Sequence, residues 1–176
     1  MAVLSFRDTG IEIRDPAAIA AALAERGVGY RQWQPGVPLA ADASAAEVLA
    51  AYAPDLAALK SAGGYVTADV IDLHPDTPNL DAMLAKFDRE HWHDEDEVRC
   101  IVEGHGLFHL HLGGEVVSVT VGPGDLLVVP SGALHWFHLC EDRRIRAIRL
   151  FKDMSGWTPH YSDSGKDRDY APVCLF

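Results

Sequence analysis

Four side chains near the middle of the chain have the types and spacing of a metal centre. His91 and His93 stand two residues apart around Trp92, Glu97 follows four residues after His93, and His135 comes just after the turn signal Pro130-Ser131-Gly132. On a strand, residues two apart project from one face. The His91 and His93 imidazoles would therefore point together, and Trp92 would turn away into packing. Three neutral imidazoles with one carboxylate form a mixed nitrogen and oxygen donor set suited to Fe, Ni, Mn or Zn. An octahedral ion held by four protein ligands keeps two positions open, enough for water, dioxygen or a substrate chelating through two oxygens. Arg99 lies two residues after Glu97 and shares its strand face. Asp94 and Glu95 sit between the ligands, where a carboxylate can bond the second ring nitrogen of a ligand histidine and fix its tautomer.

The other reactive residues form no such constellation. Of nine histidines, His74, His105, His138 and His160 have no partner at useful spacing and read as surface or core. There is no nucleophile elbow GxSxG and no phosphate-binding GxGxxG or GxxxxGK[ST]. The three cysteines, Cys100, Cys140 and Cys174, are too far apart in sequence for a CxxC pair or a disulfide framework. They are expected to be reduced thiols, with Cys100 and Cys140 inert and buried on apolar strands. The first residues lack a basic stretch followed by an apolar one, so no signal peptide is expected and a cytoplasmic location follows.

The elements that must hold these residues are mostly strands. From His91 onward short apolar runs alternate with turn signals: Glu97 to Glu103, Leu107 to Leu112, Glu115 to Val121, Leu126 to Pro130, His135 to Leu139 and Ile145 to Phe151. That texture predicts a β-sandwich or barrel rather than alternating βα units. Ahead of it, Asp15-Pro16 opens a helix over about 16–26 that Gly27 stops, and Ser44-Ala-Ala-Glu47 is a capping box for one helix running to Lys60. Strands are expected at Tyr30 to Gln34 and Tyr65 to Leu73, and a short helix over 78–87 with Leu80, Met83, Leu84 and Phe87 on one face. At 176 residues the chain fits a single domain spanning 1–176: mixed elements over 1–64, a metal-binding β unit over about 65–160, then a tail. Hydrophobic residues at 48% and charged residues at 23% are ordinary for a globular protein. A net charge of −11 disfavours nucleic acid and anionic membrane surfaces as partners, and no apolar run is long enough for a transmembrane helix.

The spacing resembles the cupin superfamily, whose members are double-stranded β-helix jelly rolls. His91-x-His93-x3-Glu97-x6-Gly104 matches its first motif, and Gly124-x5-Pro130-x-Gly132-x2-His135 its second. Ala85 and Leu139 depart from the pattern at positions that are not ligands. A rival first motif, His109-x-His111-x3-Glu115-x6-Gly122, has the same spacing, but it leaves one residue between its end and Gly124 and so no room for the two strands a jelly roll needs there. His109 and His111 then read as a pair on a strand face, exposed or half-buried.

Within the cupins, Glu90-His91-Trp92-His93 followed by Glu97-Val98-Arg99, the run from Gly124 to Phe137, Ile148 to Phe151 and Gly156-Trp157 together resemble the acireductone dioxygenases. That resemblance implies an Fe(2+) or Ni(2+) ion on His91, His93, Glu97 and His135, and dioxygen and a small-molecule substrate as partners. The implied activity belongs to methionine salvage. Acireductone, a methylthio-bearing enediol, is oxidised to 4-methylthio-2-oxobutanoate and formate with Fe(2+), or to 3-(methylthio)propanoate, formate and carbon monoxide with Ni(2+). The resemblance also implies that Arg99 lies near the bound enediolate, where a fixed cation would stabilise its charge. It implies that Phe87, Phe137 and Trp157 line the substrate pocket, and that the protein is a monomer.

Overall fold

The computed structural model describes residues 1–153 and 157–176, so Gly156 of the Gly156-Trp157 match lies outside the described residues. Strands run in chain order as β1 (Val3–Phe6), β2 (Ile11–Ile13), β3 (Gly29–Gln32), β4 (Thr67–Leu73), β5 (His91–Trp92), β6 (Glu97–Gly104), β7 (Gly106–Leu112), β8 (Glu115–Val121), β9 (Asp125–Val129), β10 (Leu134–Leu139), β11 (Ile145–Phe151) and β12 (His160–Tyr161). Helices α1 (Pro16–Ala24), α2 (Ala45–Ala51), α3 (Ala53–Gly63) and α4 (Leu80–Leu84) precede the metal-ligand strands. The strands form a seven-stranded sheet in the order β12-β5-β10-β7-β8-β1-β2 and a five-stranded sheet in the order β3-β9-β6-β11-β4. All recorded pairings are antiparallel. This is the jelly roll expected, with strands of the two sheets facing each other across a common core.

Period-two alternation decides what each face meets. Along β6, Ile101 joins the core between the sheets, whereas Val98 and Cys100 point outward and pack under α2 and α3 with Val48, Leu56 and Leu59. Phe108 and Leu110 of β7, Val117 and Val119 of β8, and Phe137 of β10 fill the interior. On the far side of β10, Trp136 packs outward with Val116 and Tyr170.

The helix expected from Ser44 to Lys60 is two helices. Ser44 and Glu47 form the capping box, but α2 ends at Tyr52, whose φ of −106° and ψ of 12° are not helical. Pro54 has no N–H to give the Ala50 carbonyl, so the ladder breaks there and restarts as α3. The helix expected over 78–87 shrinks to α4, because Asn79 adopts a left-handed φ of 57°. β1, β2 and β12 were not expected. They are four, three and two residues long, too short to carry a period, and tertiary pairing makes them strands.

The expectation of reduced thiols holds for Cys100, which is buried, and is overturned for Cys140 and Cys174. Cys140 and Cys174 are joined in a disulfide with Cα atoms 5.9 Å apart, and only Cys100 is free. Spacing could not reveal this, because it depends on the C-terminal tail folding back to the end of β10.

Candidate metal centre

β5 supplies a single register pair to β10, His91 opposite His135, and that pair sets two imidazoles side by side, tilted 58° to each other. β12 closes the other side of β5 through Tyr161 opposite His91 and His160 opposite Trp92. His93 lies just past the end of β5, where its carbonyl accepts from the Gly132 N–H at 2.9 Å. Glu97 opens β6 on the opposing sheet. The turn between them is held by Asp96, which accepts from the Ser131 N–H at 3.0 Å and the Tyr65 hydroxyl at 2.8 Å. The donor atoms of His91, His93, Glu97 and His135 all lie within 4.8 Å of one another, and the four residues are 1% to 2% exposed.

The hydrogen bonds fix the ring states. The Nδ1–H of His91 donates to the Arg89 carbonyl at 2.6 Å, that of His93 to the Thr158 carbonyl at 3.2 Å, and that of His135 to the Ala133 carbonyl at 2.8 Å. A carbonyl only accepts, so a neutral ring bonded this way carries its proton on Nδ1 and leaves the Nε2 lone pair bare. These bare atoms meet at the centre. His93 Nε2 and His135 Nε2 each lie 3.1 Å from Glu97 Oε2, and His91 Nε2 is buried without a partner among the described residues. Burial and the neighbouring His135 push the His91 pKa down to about 4, so this ring stays neutral. Acceptors facing acceptors in a dry pocket are unfavourable unless a cation sits between them. The donor set therefore fits a divalent metal, with backbone carbonyls orienting the ligand rings as outer partners commonly do.

Glu97 is fully buried, which opposes its charge, but the Arg99 guanidinium beside it holds its carboxyl well below the ordinary carboxylate range. Arg99 Nε lies 2.8 Å from Glu97 Oε1, although the N–H is not aligned as a hydrogen bond, so the contact is chiefly charge on charge. The Arg99 guanidinium sits among the rings of Phe108, Phe137 and Trp157 at 5.8, 5.1 and 5.4 Å from their centroids. Such a cation is only partly neutralised and remains available to an anion beside Glu97.

The other expected residues divide. Phe87 lies 5.7 Å from His91 and 6.4 Å from His93, ring centre to ring centre. Trp157 stacks on His93 at 6.0 Å, and its buried Nε1 has no partner among the described residues. Asp94 and Glu95 do not orient the ligand histidines. Asp94 accepts from His160 Nε2 at 2.8 Å and Glu95 from the Lys152 N–H at 2.9 Å, because the turn carries both side chains outward and leaves carbonyls to meet the rings. Trp92 faces away from the centre and stacks on His160 at 4.3 Å. His109 and His111 are apart from the metal set, as the motif interval required. His109, however, is fully buried rather than exposed or half-buried, with Nδ1 2.8 Å from Ser118 Oγ.

Sequence reasoning gave Glu90 no role beyond its place in the motif. Its carboxylate is 2% exposed and takes hydrogen bonds from His111 Nδ1 at 2.6 Å and from the hydroxyls of Ser162 and Ser164. It ties the start of β5 to β7 and to the segment after β12. Its partners lie up to 74 residues away, and no local signal marks them. A cavity of about 730 Å³ lies beside β10, but its wall includes none of the four ligand residues and meets this region only at Phe137.

A family model described as the ARD/ARD' family matches residues 11–159. The chain belongs to the ARD/ARD' family. An acireductone dioxygenase of Picosynechococcus sp. is 42% identical over 164 residues, covering 93% of each chain. One from Granulibacter bethesdensis is 45% identical over 152 residues, 86% of this chain and 85% of the relative. Among solved structures, an acireductone dioxygenase from Bacillus anthracis with a cadmium ion in its active centre is 38% identical and superposes with a TM-score of 0.86, over 92% of this chain and 98% of that one. The ARD/ARD' assignment and the convergent lone pairs agree on a metal-dependent enzyme built on the cupin fold.

Proposed function

We propose that this chain is an acireductone dioxygenase of methionine salvage, with His91, His93, Glu97 and His135 holding one Fe(2+) or Ni(2+) ion. The single observation that carries the reading is the gathering of three Nε2 lone pairs, each backed by an Nδ1–H bond to a carbonyl, with the Glu97 carboxylate within 4.8 Å of one another. The relatives' shared name supports the substrate. A bound divalent ion would supply Lewis acidity and a template for an enediolate and dioxygen.

The chain's own residues do the rest. The carbonyls of Arg89, Thr158 and Ala133 hold the three rings in one tautomer, so no proton competes for the ligand atoms. Arg99 keeps Glu97 ionised and offers its remaining N–H groups to the negative charge of the enediolate. Phe137, Trp157 and Phe87 exclude water and pack against the carbon chain and methylthio tail, while the buried Trp157 Nε1–H provides a further donor to a substrate oxygen. With Fe(2+) the products are 4-methylthio-2-oxobutanoate and formate. With Ni(2+) they are 3-(methylthio)propanoate, formate and carbon monoxide.

The test is product analysis on metal-free protein reconstituted separately with each ion. Loss of the enediol absorbance under oxygen, with keto acid appearing for Fe(2+) and carbon monoxide for Ni(2+), is the expected result. Stoichiometric metal binding without substrate consumption above the buffer rate would replace the reading with a metal-binding cupin of another substrate.

A further inference from the structure

A second reactive pair lies beyond the far end of β10, and nothing in the proposed reaction uses it. Along β10, His135 turns toward the metal-ligand set and Phe137 fills the interior, while Trp136 packs against Tyr170 on the other face. The C-terminal tail lies on that other face. Tyr170 packs on Trp136 with ring centres 6.1 Å apart and donates its hydroxyl to Asp8 at 3.0 Å. The Leu175 N–H donates to Thr120 Oγ1 on β8 at 3.0 Å, and Phe176 meets His105 edge-on at 4.6 Å. The covalent fastening is Cys140–Cys174, which spans a sequence separation of 34. Cys140 is 4% exposed, Cys174 is partly exposed, and both form part of the wall of the 730 Å³ cavity. A small thiol therefore has room to reach the Cys174 sulfur, while Cys140 is shielded.

We propose that Cys140–Cys174 is a reversible thiol–disulfide exchange site: a latch that holds the C-terminal tail against the back of β10 when oxidised and releases it when reduced by a low-molecular-weight thiol. The thiolate attacks Cys174 Sγ, forms a mixed disulfide there and expels the Cys140 thiolate, which takes up a proton. A second thiolate attacks the small-molecule sulfur of that mixed disulfide, which gives the free disulfide of the reductant and the Cys174 thiol. In total two electrons and two protons pass to the protein. Asp88 and Glu141 in the cavity wall make it acidic, so a neutral dithiol is the suitable probe. The release is local, because the tail's other contacts named above among the described residues are the Tyr170 ring and hydroxyl, the Leu175 N–H on Thr120 Oγ1 and the Phe176 ring on His105, whereas β10 stays paired along its length with β7. Segments held by so few contacts open at low free energy.

The inference stands apart from the substrate assignment, and its test reads structure rather than turnover. The metal-loaded full chain is treated with dithiothreitol or with oxidised glutathione. Alkylation after denaturation without further reductant counts thiols, and hydrogen exchange follows residues 166–176. One alkylated cysteine, Cys100, is expected in the oxidised sample and three in the reduced one. Exchange in the tail should be at least tenfold faster after reduction, with β6 to β8 unchanged, and readmission of oxidised glutathione should restore protection. Cys174→Ser should exchange fast in both conditions. Three alkylatable thiols after oxidised glutathione would overturn the site. So would a disulfide that native protein keeps in dithiothreitol, or tail exchange that is the same with and without it.

Discussion

His91 and His135 oppose each other across the one register pair that joins β5 to β10, and their ring centres are 4.5 Å apart. A two-residue strand thus decides whether the metal-ligand set exists. β5 is held there by β12 on its other edge and by Glu90, whose carboxylate reaches β7 through His111. The ligand rings are oriented by carbonyls of neighbouring backbone, which side-chain substitution nearby leaves in place.

Arg99→Ala should lower kcat/KM by about 10²- to 10³-fold, the usual loss when a preorganised charge donor is removed. Metal occupancy should fall much less, because the four donor atoms remain. Steady-state kinetics beside metal analysis checks this, and a parallel loss of metal would assign Arg99 to the site's assembly instead.

Glu97→Gln should weaken Fe(2+) or Ni(2+) binding by at least about 100-fold, since losing even an outer partner of a ligand typically costs 10- to 100-fold. Competition against a chromophoric chelator gives the number. Binding as tight as that of the unsubstituted chain would place the ion on other donors.

Metal removal should lower thermal stability. An ion at about 100 times its dissociation constant adds roughly 2.7 kcal/mol to the folded state, a shift of roughly 5–10 °C for a chain of this size. Differential scanning calorimetry with and without chelator reads the shift, and coincident transitions would contradict a site that forms only in the folded state.

Acid should destabilise the metal-free protein through His109. Burial, reinforced by His138 and Arg7, pushes its pKa down to about 3, against about 6.5 when unfolded. The folded ring stays neutral while the unfolded one takes a proton. The stability this provides is complete above about pH 6.5 and drains away as the pH falls toward 3. The full effect is on the order of 5 kcal/mol. His109→Gln should flatten the fall in urea-derived stability between these pH values; an unchanged slope would mean that another group carries it.

Gly104→Ala should destabilise by about 2 kcal/mol or more. Gly104 has a φ of 74°, and an added Cβ would overlap the Arg144 carbonyl, which is backbone and has little room to give. Urea unfolding measures the loss. A near-neutral result would require β6 and β11 to shift apart.

The metal set was legible in the sequence because its main part is local. A two-residue offset and a four-residue offset place His91, His93 and Glu97, and the turn at Pro130 to Gly132 fixes where His135 enters. Strand periodicity made a β-sandwich or barrel readable from β6 to β11 for the same reason, each run alternating on its own, and the resemblance of the two motifs to the cupins narrowed it to the jelly roll. Interactions with no local period were not readable. The carbonyls that orient the rings, the Glu90 network and the burial of His109 all depend on which strands become neighbours. Asp94 and Glu95 were misread because carboxylates between ligands are natural outer partners by type, and only the path of the turn sends them outward to His160 and Lys152. The break at Pro54 is a propensity effect that the capping box and the Ala/Leu run masked. The disulfide shows the division most sharply. Sequence by itself determined that three cysteines were present, and which residue types could bind a metal, because composition and short spacing are properties of the chain. Only the tertiary structure decided that Cys174 returns to Cys140 and that three lone pairs gather with Glu97, because contacts between distant segments follow from packing of the whole fold.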